Sequence, residues 1–201
     1  EHAAELAEHY AYSSDAGDLG RAVEYGEVAA RKANETFAYG EAVRHLEQAL
    51  RVHEVLDADD KLRKCDLLLA LGDALGPAGE PKRAADEVAP AAYALGHELR
   101  DNGRSFSAAR LALDGLGGWG ASTTWGTLEW RMWTERALQH SPPGTAERVY
   151  ANLARSNLPD LASGERRDLI LNAFEQARST GVSEALFDAG RRLLVDLNGP
   201  K

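Results

Sequence analysis

The residues whose spacing suggests chemistry lie in DGLGGWGASTTW, Asp114 to Trp125, where Gly115, Gly117 and Gly120 satisfy G-x-G-x-x-G. That glycine pattern marks a dinucleotide-binding turn only when a strand precedes it and a helix N-terminus aims at the pyrophosphate. Here LALDGL reads as helix, so the fingerprint fails. No G-x-x-x-x-G-K-[ST] occurs, and a P-loop is absent with it. His2, Glu5 and His9 share a helical face, but three side chains on one helix lack the converging ligand and outer shell of a zinc site. Exposed His and Glu on an amphipathic helix are the simpler reading. His45, His53, His97 and His140 are dispersed, and no Ser or Cys stands in a nucleophile motif. Cys65 opens a helix on its packed side and reads as a buried structural thiol. No catalytic residue, metal site or cofactor is expected.

The tryptophans stand apart. All four, Trp119, Trp125, Trp130 and Trp133, fall within fifteen residues. Trp130 and Trp133 are three apart on one helix, so they form a neighbouring aromatic pair, with Trp119 and Trp125 at its entrance. Two readings stay open. Large rings can fill space inside a core, or line a groove for a peptide or small ligand, with the glycines permitting loop movement.

The elements that position these residues are helices. Apolar residues recur at three and four, as in LLLALGDAL and AVRHLEQAL, and alternating β-branched runs are absent. The spacing predicts ten helices, over 1–14, 19–36, 39–55, 60–76, 81–99, 104–116, 124–139, 145–157, 164–179 and 183–197. Asp18, Ser122 to Thr124, Ser163 and Ser183 are the N-caps, Pro81 takes a first helical position, and Gly144, Gly164 and Gly181 separate segments. Pro90 resists the scheme, because an interior proline costs about 3 kcal/mol and kinks or splits a helix.

Short helices with short connectors raise the question of repeats. Small residues recur 19 apart between the two helices of a pair, at Ala30 and Ala49, Gly72 and Ala91, and Ala154 and Ala173. The third pair, Ala112 and Ala137, is separated by 25 and so carries six extra residues, centred on GGWGAS. First-helix markers at 30, 72, 112 and 154 lie 42, 40 and 42 apart, longer than the roughly 34 of a tetratricopeptide repeat. The expected fold is therefore all-α, a right-handed α-solenoid of antiparallel helix pairs spanning 19–55, 60–99, 104–139 and 145–179. Single helices 1–14 and 183–197 flank it. Half-repeats at both ends suggest a fragment of a longer protein, or ends that stack between subunits into an end-to-end homo-oligomer.

Leu68, Leu71, Gly72 and Leu75 followed by Ala84, Val88 and Ala91 match most diagnostic tetratricopeptide positions. Together with LAEHY, AVEYGEVAARKA, FAYGEAVRHLEQAL and LLLALGDAL, they resemble the tetratricopeptide-like array of large bacterial signalling ATPases, including ATP-binding LuxR-type regulators and cyclase-linked homologues. The resemblance implies a sensor or protein-interaction arm that controls activation elsewhere in a parent protein, through a protein or peptide partner or a small-molecule effector. Any ATPase or cyclase activity would reside outside this chain. It also implies a concave face lined by second, fifth and ninth positions of first helices. These are Glu24, Glu27 and Arg31; Asp66, Leu69 and Asp73; Phe106, Ala109 and Leu113; Arg148, Ala151 and Arg155; and Glu184, Phe187 and Arg191. The family's Lys and Asn clamp for a C-terminal carboxylate is missing, which argues against chaperone-tail binding.

Bulk charge narrows the partners. The 201 residues carry a formal charge of −9, and no Lys and Arg cluster stands free of acids, so this segment is not expected to bind nucleic acid. No apolar run approaches the roughly 20 residues of a membrane span, and a single cysteine precludes an internal disulfide framework. With no signal-peptide pattern, a cytoplasmic location is expected.

Overall fold

The computed structural model describes residues 2–13, 15–117 and 124–198, and among these it is all-helical, with ten helices and no strand. They are α1 (Ala3–Ala11), α2 (Ala16–Glu35), α3 (Tyr39–Leu56), α4 (Lys61–Leu75), α5 (Pro81–Arg83 running on through Ala84–Val88 and Ala89–Glu98), α6 (Asn102–Gly117), α7 (Leu128–Gln139), α8 (Ala146–Arg155), α9 (Ser163–Thr180) and α10 (Ser183–Asn198). Each packs on its neighbour in the chain, and α4 on α6, α6 on α8 and α8 on α10 meet as well. No helix among the described residues is long and apolar enough to cross a membrane.

Local chemistry sets the helix starts. Asp15, Asp60, Thr127 and Thr145 each accept a backbone N–H from the first turn of the following helix, and Asp101 accepts from Arg104 N. The cap of α2 is thus Asp15, with Asp18 inside the first turn, because the Asp15 carboxylate is the one in reach of an orphan N–H. In the same way Thr127 delays α7 to Leu128, four residues past the expected start, so Trp125 precedes the helix. Ser122 and Thr123 lie outside the described residues. Pro81 does occupy a first-turn position.

The helix continues through Pro90 without a break. Ala84–Val88 form one π turn, in which Ala89 N–H donates to Ala84 O, five residues back. Proline has no N–H for the usual partner, Asp86 O, and its ring crowds that carbonyl; the wider turn immediately before it accommodates both defects. The extra residue rotates the face that follows. Ala89, Ala92 and Gly96 are buried and Ala91 is exposed, so the 19-residue spacing names the wrong alanine in this pair. The other small-residue pairs are buried as expected, at Ala30 and Ala49, Ala112 and Ala137, and Ala154 and Ala173.

Ion pairs tie successive units in register. Glu27 on α2 meets Arg63 on α4, Glu47 on α3 meets Arg83 on α5, and Asp66 on α4 takes two hydrogen bonds of 2.8 Å from Arg104 on α6. Each joins like helices of adjacent pairs. Cys65 is buried against Ala92 and Ala108, and desolvation raises its thiol pKa, which keeps it protonated. A second polar tie sits between α5, α6 and α7: His140 Nδ1 is 2.9 Å from Asn102 Oδ1 and its Nε2 is 3.1 Å from the Tyr93 hydroxyl. Because the Asn102 oxygen only accepts, Nδ1 carries a proton; burial lowers the His140 pKa and favours the neutral ring, in which the Tyr93 hydroxyl donates to Nε2.

Candidate functional site

The described tryptophans, Trp125, Trp130 and Trp133, do not act as one group. Trp133 faces the core, 1% exposed, edge-on to Tyr93 at 5.5 Å with the Arg136 guanidinium 4.4 Å from its ring. Trp130 turns the other way, toward Trp125 at 6.4 Å, and its Nε1–H donates to Ala154 O on α8 at 3.1 Å. Three residues along a helix span 300°, so adjacent positions on a shared face still meet different neighbours once other helices pack between them. Trp119 lies outside the described residues.

Trp125 and Trp130 close one end of a cavity of about 390 Å³. Its walls are α6, through Phe106, Arg110, Leu113, Asp114 and Gly117, and α10, through Asp188, Arg191, Arg192 and Val195. Its floor is α8, through Tyr150, Ala151, Leu153 and Ala154. Both wall sets are helical stripes, spaced three and four apart. Arg110 stands at the opposite end: its guanidinium lies 3.9 Å over the Tyr150 ring and donates to Glu184 Oε1 at 2.5 Å, across α8. Asp114 Oδ2 is 3.5 Å from Arg110 Nε.

The charges in this space are uneven. Asp114 keeps 69% of its side-chain surface. Protein nonetheless surrounds the groove on three sides, and that desolvation pushes its carboxyl up to about 6 against the pull of Arg110. Asp73, at the same end, is also raised by desolvation, with Arg110 opposing. Arg191 pairs with Asp188 at 4.0 Å. Arg192 has no carboxylate within ion-pair distance among the described residues; its guanidinium sits 5.3 Å from the Trp125 ring, and its buried Nε has no hydrogen-bond partner. Burial lowers its pKa, and the neighbouring charge of Arg166 lowers it further.

Of the residues expected to line a concave face, Phe106, Leu113, Ala151 and Arg191 come together here with Trp125 and Trp130. Glu184 acts one step removed, through Arg110. Asp73 lies near the Arg110 end without lining the cavity, and the others are elsewhere. Glu27 and Asp66 are engaged by Arg63 and Arg104, Arg31 is exposed on α2, and Leu69 packs against the Cys65 cluster. Arg148 donates to the Ser141 and Leu138 carbonyls and so braces the end of α7. Arg155 is exposed outside the cavity, and Phe187 is 70% exposed on an apolar patch with Leu186, Leu194 and Val195. Sequence reasoning missed Arg110, Asp114, Tyr150, Asp188 and Arg192. A trace was present, since Phe106, Arg110, Leu113, Asp114 and Gly117 fall on one stripe of α6.

No protein-family model and no curated protein matches the chain. Among solved structures, one described as the crystal structure of BtubC (BKLC) from P. vanneervenii is similar at a TM-score of 0.36 and 18% identity, over 99% of this chain and 91% of that one. A TM-score that low carries no argument about function.

Proposed function

We propose that this chain is a non-catalytic ligand-binding module, a right-handed tetratricopeptide-like array that serves as the sensor arm of a larger bacterial signalling or transcription-regulatory ATPase. The observation that carries the binding role is the cavity between α6, α8 and α10, walled by Trp125 and Trp130. Its volume suits a small organic molecule, its lining mixes aromatic and apolar surface with a few charged groups, and such a composition is that of ligand pockets in general. A ligand there touches two helix pairs, α6 with α7 and α8 with α9, and the single helix α10. Occupancy therefore biases how those elements sit against each other, which is the physical content of a sensor. The parent-protein role rests on the sequence resemblance alone.

The test is calorimetric and fluorescent titration with a panel of metabolites and short peptides. At least one compound is expected to bind and shift tryptophan emission, with calorimetric binding lost in Trp125→Ala. Binding that survives both Trp125→Ala and Trp130→Ala places the ligand elsewhere, and a panel without any binder removes the sensor reading.

A further inference from the structure

The distribution of charge in the cavity narrows the class of ligand, an inference that rests on the cavity being the binding site. Three arginines line it. Arg110 is compensated by Glu184 at 2.5 Å and Asp114 at 3.5 Å, and Arg191 by Asp188 at 4.0 Å. Arg192 has neither an ion pair nor an acceptor for Nε, and what it does contact is the Trp125 ring. Behind it, Arg166 spends one N–H on Leu158 O at 3.1 Å, and its buried Nε also lacks an acceptor. Asp196, one turn along α10, opposes Arg166 without closing an ion pair, and Arg191 adds to the repulsion. A guanidinium that is partly desolvated, faces a second guanidinium and has an unfilled donor is a standing receptor for an anion.

We propose that the cavity receives a small organic monocarboxylate with a flat apolar body, its carboxylate on Arg192. The body lies along Trp125 and Trp130 and against Leu113, Leu153 and Val195, which supply apolar surface next to the guanidinium. The opposite end sets the limit on charge. Asp114 and Asp188 line that end, with Asp73 and Glu184 close by, and together they repel a second anionic group. The surplus is one positive charge at one end, which matches a monoanion better than a phosphate dianion.

The chemistry is separated from the pocket by four probes: 3-phenylpropionate, its amide, 3-phenylpropylamine and acetate, each titrated by calorimetry into the intact chain. The carboxylate is expected to bind, the amide at least tenfold more weakly, and the amine and acetate not at all. Arg192→Gln is expected to weaken the carboxylate at least tenfold while leaving the amide unchanged, with Arg155→Gln, exposed and outside the cavity, as the neutral control. Far-ultraviolet circular dichroism and melting verify that each variant is folded; should Arg192→Gln not fold, Arg192→Lys replaces it, expected to keep the charge but lose affinity through its lost fork geometry. Equal binding of acid and amide, both lost in Trp125→Ala, leaves the cavity a ligand site and overturns the carboxylate. Preference for the amine overturns it too. A folded wild-type chain that binds none of the four, yet binds a panel compound through Trp125, again overturns the carboxylate alone. No binder of any kind removes the ligand-site reading with it.

Discussion

Gly115 makes the sharpest test of the packing. A methyl group built on it lies 2.5 Å from the backbone oxygen of Pro81, 2.9 Å from Ala85 Cβ and 3.2 Å from Ala85 N, so α6 and α5 touch backbone to backbone there. None of these atoms is the free end of a flexible side chain. Relief requires the two helices to move apart, and overpacking of this kind costs about 1–3 kcal/mol, with a carbonyl oxygen that close putting it near the top of the range. Alanine returns at most about 1 kcal/mol in helix propensity. Gly115→Ala is therefore expected to lose about 2 kcal/mol net, a fall of roughly 4–8 °C in Tm for a chain of this size. Gly40 supplies the internal control. It also lies in a helix, α3, but nothing is within 4 Å of an added methyl, so Gly40→Ala keeps the propensity gain and holds or raises Tm by up to about 3 °C. Urea unfolding and thermal melts followed by circular dichroism at 222 nm measure both. If Gly115→Ala is as stable as Gly40→Ala, the helices are not in contact at this point and the reasoning fails.

The ion pairs between units permit a second measurement. In a double-mutant cycle of Arg104→Ala and Asp66→Ala, the bidentate pair on partly exposed side chains is expected to show a coupling of about 1 kcal/mol; a value near zero makes it decoration. Acid should act through His140, whose pKa burial lowers, with the His97 charge adding to it. A lowered pKa in the folded state gives stability that is whole above the unfolded value of about 6.5 and is lost as pH falls below it. His140→Gln is accordingly expected to flatten the decline in Tm between pH 6.5 and 5 relative to wild type, and parallel declines refute the neutral-imidazole assignment.

How much of this was legible depends on the range of the interaction. Helix type and number follow from spacing within about twenty residues, and Ala30, Ala49, Ala112, Ala137, Ala154 and Ala173 were readable as buried because small residues mark close approach wherever they recur. Pro90 was readable as a defect but not as a π turn, since the sequence does not say whether a helix absorbs a proline by breaking or by widening. Ala91 was lost through that one residue. The cavity's aromatic end was legible as a tryptophan cluster, whereas its charged lining was not. Arg110 and Glu184 are 74 positions apart, and only the placement of α10 over α8 brings them together. Asp66 and Glu27 illustrate the converse error, because a charged position on an exposed face looks identical in sequence whether it waits for a ligand or already holds an arginine from the next unit.

Trp130 in the third pair accounts for the cavity being where it is. Trp130 stands seven residues before Ala137 as Ala42 stands seven before Ala49, and Ala42 is completely buried. An indole in place of a methyl group cannot fit the spacing that the earlier pair keeps. The structure accommodates it by setting the ring against Gly117, whose added methyl would be 3.2 Å from Trp130 Cζ3, and by anchoring Nε1 to Ala154 O. The ring thus becomes a wedge between α6 and α8 at one end, while Arg110 draws α10 toward α6 at the other. Gly117 set against Trp130 is on this account the means by which a close-packed helix pair is opened on one side, and the cavity is the space that opening leaves.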